Sequence, residues 1–233
     1  MSEAIVAIPE EQDLLLSTLS PGPAQKRLAL AVVAGFLVAV FIIVGPLSTI
    51  PPFRVDAFVP AYSAAMFVID AITAILLFNQ FVILRSTAIL VIASGYLYGA
   101  LIEIPWILTF PGVFASTGLV GGLQSTVWLY FFWHIGFPMF VIGYALLKEA
   151  NPTKRLWYGT MRSAITLSVI LTAVLVAVLA FLCVADETRL PRVMLDDFRF
   201  GPQWPFVAGP VALLSISALF GFGSANVRCS IFG

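Results

Sequence analysis

Six stretches of this chain, at about residues 28–50, 61–84, 87–108, 124–147, 163–184 and 206–223, are almost unbroken runs of apolar side chains. A helix crossing the hydrocarbon core of a bilayer needs roughly 20 such residues. These runs therefore constrain the chain more than any motif in it. They lack the alternation of barrel strands, and inside lipid a backbone must satisfy its own polar groups, so helix is the spanning state they dictate. The breaks between them are chemically plain: Pro51-Pro52, Arg85-Ser86, Pro111-Gly112 with Gly121-Gly122, and Asn151-Pro152. The predicted fold is all-α, a polytopic transmembrane bundle of about six spanning helices.

Composition closes the alternative. Apolar residues make up 61% of the chain, charged ones 10%, and the mean hydropathy is +1.03. A soluble domain of this size would lack the polar surface to cover so much apolar material. The formal net charge is zero and no basic run tracks a phosphate backbone, so no nucleic-acid partner is expected. Cys183 and Cys229 make neither a CxxC pair nor a Cys/His ligand spacing, and both read as bystanders.

Three segments follow from the hydropathy: a cytoplasmic N-terminal segment 1–27, a membrane domain 28–223, and a short tail 224–233. Glu3, Glu10, Glu11 and Asp13 stand where a signal peptide would carry basic residues, so the first run is read as a retained anchor. Lys26, Arg27, Arg85, Lys148, Lys154, Arg155 and Arg162 fall on one side of the predicted membrane. Arg54, Arg189, Arg192 and Arg199 fall on the other, accompanied by acidic residues. The positive-inside rule then puts both chain ends in the cytoplasm. Trp106, Trp128, Trp157 and Trp204 are expected near the interfaces as an aromatic belt. The polar connection at about 185–205 reads as a solvated outer loop with a short interfacial helix.

Ionisable groups inside a span cost several kcal/mol at mid-depth, so each needs a reason. Asp70, Glu103 and His134 are the three that stand out. At about 1.5 Å per residue, Asp70 and His134 lie roughly 13–15 Å below the outer boundary and Glu103 roughly 8 Å. They are expected to share one layer. Tyr62, Ser63, Thr73, Ala74 and Gln80 fall on the Asp70 side of their helix, mixed with Met66 and Leu77. Tyr96 and Gly99 share a face with Glu103, and Tyr130 lies one turn from His134. Pro105 and Pro138 deprive the carbonyls of Leu101 and His134 of their helical partners. The candidate sensing or ligand-binding residues are Asp70, Glu103, His134, Tyr96 and Tyr130.

Plainer readings stand beside these. Asp70 is accounted for equally well as protonated or bonded to Thr73, Glu103 as snorkelling to the outer surface, and His134 as a packing residue. The run WLYFFWH at 128–134 is explained by helix packing and interface anchoring. No catalytic residue is predicted, since no nucleophile–base pair, phosphate loop or kinase motif is present. One histidine with distant carboxylates makes no metal set, so neither metal nor cofactor is expected.

The stretch Phe58 to Lys148 resembles the integral-membrane sensor domain of the fourth MASE (membrane-associated sensor) type. The resemblance is carried by LLFNQF at 76–81, LTFPG at 108–112, WH-x-GFP at 133–138 and YALLK at 144–148, in that order and spacing. It implies an input module that is followed, in relatives, by a cytoplasmic histidine-kinase or GGDEF diguanylate cyclase domain. No such domain is encoded here, and the ending GFGSANVRCSIFG is glycine-rich, so the resemblance implies a chain incomplete at its C-terminal end. Many relatives carry a histidine where this chain has Trp106. A ligand site built on that residue and His134 would be altered here, which is why no haem or metal is expected.

The expected function is thus a bacterial inner-membrane sensory module. It would detect a membrane or periplasmic cue and relay it to a cytoplasmic output domain absent from this chain. The expected partners are the lipid bilayer, a small ligand or other cue, and a second copy of the chain or a signalling kinase. The alternatives are a transporter or channel subunit, in which Asp70, Gln80 and the prolines line a path, or a membrane scaffold protein. No inverted repeat supports the transporter.

Overall fold

The computed structural model describes residues 22–44, 57–150, 160–185, 187–196 and 199–231, with the side chains of 43–44, 149–150, 200 and 219–231 outside the description. The chain divides into two compact units, Met1–Arg54 and Val55–Gly233. Within the described residues, five helices are long and apolar enough to cross a membrane.

The first unit holds α1 (Pro23–Val44). The helix begins five residues before the apolar run, and local chemistry explains why. Pro23 occupies the first helical position, where its missing N–H is no loss. The N–H of Gly22 donates to the Gln25 side-chain oxygen at 3.0 Å, half of a capping box. Lys26 and Arg27 therefore belong to the first turns of the helix. Its large apolar side chains, Leu28, Phe36 and Phe41 among them, are exposed, as contact with lipid requires. The expected end of the run, residues 45–50, lies outside the described residues.

The second unit contains α2 (Phe58–Leu84), α3 (Thr87–Thr109), α4 (Leu123–Ala150), α5 (Met161–Ala185) and α6 (Trp204–Ile231). The sixth helix is longer at both ends than the hydropathy predicted. Its apolar part among the described side chains, Trp204–Ala218, is shorter than the other candidate spans.

The centre of the unit is α3. Both α2 and α4 pack on it, α5 leans on α3 and α4, and α6 packs on α4. Small residues make this possible: Ala88, Ala93, Gly95, Gly99 and Ala100 are all buried on α3 and let neighbouring helices approach closely. On α2 only Ser63, Asp70, Ala74 and Phe81 are buried. Their spacings of seven, four and seven residues form one stripe at 3.6 residues per turn, and that stripe faces α3. The rest of α2, including Val68, Ile69, Ile72 and Ile75, is open to lipid. A two-residue turn joins α2 to α3. Arg85 closes it in the left-handed region at φ 52°, its N–H donating to the Phe81 carbonyl at 2.8 Å.

Polar order is concentrated at the other end of the bundle. The N–H of Gln124, in the first turn of α4, donates to the Glu187 carboxylate at 2.8 Å. An acidic group there complements the unpaired N–H groups and the dipole of the helix start. The Gln124 side chain accepts from the Val193 N–H at 3.0 Å and donates to the Met194 carbonyl at 2.6 Å. The hydroxyl of Ser125 donates to the Cys183 carbonyl at 2.7 Å, and Trp128 Nε1 donates to the Pro191 carbonyl at 3.1 Å.

The connection at 185–205, expected to be a solvated loop with a short interfacial helix, is largely exposed among its described residues and also more ordered than the sequence suggested. It is a single 3-10 turn, Glu187–Arg189, then an antiparallel ribbon of β1 (Met194–Asp196) and β2 (Arg199–Phe200), tied down on the start of α4. The turns between α3 and α4 are equally tight. Gly118 sits at φ 97°, and a Cβ there would stand 2.5 Å from the Thr109 carbonyl oxygen.

Candidate functional site

Asp70 projects from the buried stripe of α2 and is 7% exposed. It fits because α3 offers Gly99 at the point of contact. A Cβ on Gly99 would collide with the Asp70 carboxylate, and Trp133 Nε1 of α4 lies 3.7 Å from the same point. Asp70, Gly99 and Trp133 thus meet where α2, α3 and α4 converge. Thr73, the alternative partner of Asp70, is committed elsewhere: its hydroxyl donates to the Ile69 carbonyl at 2.7 Å.

One turn along α3 from Gly99, Glu103 is 1% exposed, the most enclosed carboxyl group among the described residues. It does not snorkel. Neither carboxylate oxygen has a hydrogen-bond partner. Ser63 of α2 is its neighbour across the interface, close enough to bear on the carboxylate yet short of a formed bond, and the Ser63 hydroxyl is itself buried and unpartnered. Trp106 follows three residues later, and its Nε1 is also buried without a partner. Four orphan polar atoms are thus contributed by three residues at one α2–α3 interface. A buried group left unsatisfied costs about 1–3 kcal/mol, and more when charged.

Trp106 is a correction to the sequence reading. It is not an interfacial anchor: it is 7% exposed, with its ring 6.0 Å from that of Trp133 and 5.2 Å from that of Phe110. An indole is amphipathic and suits either setting, so its position in the chain could not decide. Trp128 is half-buried, its N–H satisfied by the connection between α5 and α6. Trp157 lies outside the described residues.

His134 is engaged mainly with its own helix. Its Nδ1 is 2.8 Å from the Tyr130 carbonyl, its ring stacks on Tyr130 at 3.9 Å, and its edge meets Trp133 at 5.0 Å. Tyr130 is 39% exposed, and Tyr62 of α2, also exposed, stacks on Phe58 at 6.2 Å. Tyr96 is half-buried, its ring edge-on to Phe137 at 5.2 Å and within electrostatic reach of Asp70. The structure therefore buries Asp70 and Glu103 on packed helices α2 and α3, and pairs His134 with Tyr130 on α4.

Sequence reasoning left Ser63, Trp106 and Trp133 out of the site. The signal for Ser63 was its seven-residue spacing from Asp70 on one helical stripe. For Trp106 it was the three-residue spacing from Glu103. The same reasoning passed over Tyr98, buried beside the site, whose hydroxyl donates to the Phe132 carbonyl of α4 at 2.7 Å. A groove of about 370 Å³ opens on that side, lined by apolar residues including Phe132, Ile135, Met139 and Leu179. None of the five predicted site residues lines it.

Among the described residues no three His, Cys, Asp or Glu side chains converge as a metal site would need. No Lys or Arg lies within α2 or α3; in α4 and α5 they stand at the helix ends, as Lys148 and Arg162. Among the described residues neither Asp70 nor Glu103 has an ion-pair partner. The interface is a pair of acidic groups in an aromatic and apolar setting without a counter-charge of its own.

No curated protein and no solved structure matches the chain. A sequence profile does: the membrane-associated sensor, integral membrane domain (MASE4), over residues 54–219. The match starts at the boundary of the second compact unit and runs through α2, α3, α4 and α5 into α6. It covers the acidic interface and the connection between α5 and α6, well over half of the sequence. With its apolar helices and this match, the chain is a multi-pass membrane protein in contact with the bilayer, and it belongs to the MASE4 family of membrane-associated sensor domains.

Proposed function

We propose that this chain is a sensory input module of a bacterial inner membrane, which detects a membrane or periplasmic cue and relays it to a cytoplasmic signalling output domain. The sensor role follows from family membership. The cue, the relay and the orientation with both ends in the cytoplasm are the further reading. The observation that carries it is Glu103: a carboxyl group sealed between two helices with neither oxygen bonded.

In this reading the layer of Asp70, Glu103, Tyr96, Tyr130 and His134 is the receiving site. A ligand helps only if it binds one packing of α2, α3 and α4 better than another. A hundredfold preference would shift the balance by about 2.8 kcal/mol, enough to reverse a marginal equilibrium. The orphan atoms supply such a preference, because a packing in which they gain partners is favoured by each bond formed. Movement of α3 against α2 would be carried towards the cytoplasm by the two-residue turn at Arg85 and Ser86, which ties the helices together at the opposite end from Glu103.

The test joins this chain to the diguanylate cyclase domain of a full-length relative and measures cyclic di-GMP across a panel of cues. Glu103→Gln and Asp70→Asn are expected to change the response about tenfold or more, with the chimera's membrane level unchanged. A cue response identical in both variants would remove the acidic interface from the mechanism.

A further inference from the structure

We infer that a groove between α3, α4 and α5 binds an anionic phospholipid, one acyl chain lying along the groove and the phosphate held by Arg85, Lys148 and Arg162. The groove stands apart from the acidic interface: none of Asp70, Glu103, Tyr96, Tyr130 or His134 lines it.

The space is long and narrow. A cavity of about 290 Å³ and another of about 370 Å³ share Val91, Phe140 and Leu175, and so form one continuous groove. Along α5 it runs from Ala164 to Leu179, about 22 Å at 1.5 Å per residue. One leaflet contributes about half of a hydrocarbon core ~30 Å thick, so an extended acyl chain fits within that length.

The walls give the chemistry of the chain. The hydroxyls of Ser94 and Ser168 bond each other, and that of Tyr98 donates to the Phe132 carbonyl. Thr172, the other hydroxyl residue on the wall, is 5% exposed. The remaining lining is apolar, so the groove offers little to a polar guest and nothing to hold water. On its rim Leu171 and Met139 are 60% and 59% exposed. The groove thus opens onto the surface of the chain that meets the bilayer.

Charge decides the headgroup. The Ser94–Ser168 contact sets the register of the parallel helices α3 and α5, so Leu90 and Ala164 stand side by side one turn earlier. Arg162 lies two residues beyond Ala164, and Arg85 two residues before the start of α3. A Cβ on Gly143 of α4 would stand 3.3 Å from Val91, and Lys148 follows in the last turn of that helix. Each of the three helices around the groove therefore brings one cation to the same end. All three side chains are exposed, and among the described residues none has an ion-pair partner. Neither α3 nor α5 has an acidic residue in its first turn, where the helix dipole favours negative charge. An apolar groove that ends among unneutralised cations complements an amphiphile with an anionic head, and basic sites between spans recognise such headgroups.

The full chain is placed in phosphatidylcholine nanodiscs with a trace of phosphatidylglycerol carrying a diazirine on one acyl chain. After irradiation the adducts are mapped by peptide mass spectrometry. Adducts are expected on the groove residues of α3, α4 and α5, in excess over those at Ile69 and Ile72 on the lipid-exposed face of α2. Phosphatidylcholine with the same diazirine chain is expected to label the groove about fivefold less. Replacing the cations together, by Arg85→Gln, Lys148→Gln and Arg162→Gln, is expected to abolish that preference. These side chains are exposed, so the variant keeps its fold. Leu175→Trp fills the groove where the two cavities meet, and is expected to remove groove adducts of both lipids while those on α2 persist. Thermal unfolding shows that each variant is folded.

Equal labelling by the two lipids, or a preference that survives loss of the three cations, would overturn the inference. So would groove adducts that persist in folded Leu175→Trp, or that are no denser than those on α2. A groove without adducts, because another helix or a second copy covers it, would do the same. Suppression by oleate at lower amounts than by unlabelled phosphatidylglycerol would give the groove to a free fatty acid instead.

Discussion

Glu103 is where the physical argument is sharpest. Its carboxyl group lies within helix α3 and against Ser63 of α2, with no bond to either oxygen. In a membrane such a group is tolerated only by neutralisation or by partners. Charged and without a ligand, it works against the fold. Glu103→Gln is therefore expected to stabilise the chain against unfolding in alkaline buffer by about 1 kcal/mol or more. Denaturation followed by circular dichroism in detergent checks this, and a clear loss of stability would show that the carboxylate has partners after all. The presence of Asp70 and Glu103 was plain in the sequence, because a charge in an apolar run is conspicuous. Their orphan neighbours were not. Ser63 is unremarkable in sequence, and Trp106 fitted an interfacial belt as well as an interior.

Between elements, the packing depends on where side chains are missing. Gly136 of α4 faces Tyr98 of α3, whose ring would collide with a Cβ at that position. The Tyr98 hydroxyl then reaches the Phe132 carbonyl at 2.7 Å. These two features separate contact from hydrogen bonding at one interface. Tyr98→Phe removes only the bond and is expected to cost about 0.6–1.5 kcal/mol. Gly136→Ala presses a rigid ring away from its helix and is expected to cost about 1–3 kcal/mol. Stability measured for both variants decides it, and a larger loss for Tyr98→Phe than for Gly136→Ala would contradict this ranking. Helix number and approximate extent could be read from hydropathy, because a bilayer fixes span length. Most helix ends came within three residues as well, the start of α4 within one, and the start of α1 was missed because it depends on Gly22, Pro23 and Gln25, outside the apolar run. What hydropathy could not show is the partner at the start of α4, Glu187, 63 residues away in sequence.

At the scale of the whole molecule, the chain combines an ordered connection between α5 and α6, a central helix lined with small residues, and an acidic interface sealed between α2 and α3. The fold class could be inferred from composition, and the family from the ordered short motifs of the stretch 58–148, since hydrophobicity alone would not reproduce their spacing. The ribbon at 194–200 could not, because two strands of three and two residues have no periodicity to detect. The functional account needs one thing above all: that the acidic side chains face across α2 and α3 and not into lipid. Disulfide cross-linking in native membranes tests this directly, with Cys183 and Cys229 first replaced and cysteines introduced at Ser63 and Glu103. The account predicts rapid cross-linking of that pair and none between Glu103→Cys and Ile69→Cys on the lipid-exposed face of α2. Cross-linking through Ile69→Cys with none through Ser63→Cys would contradict it.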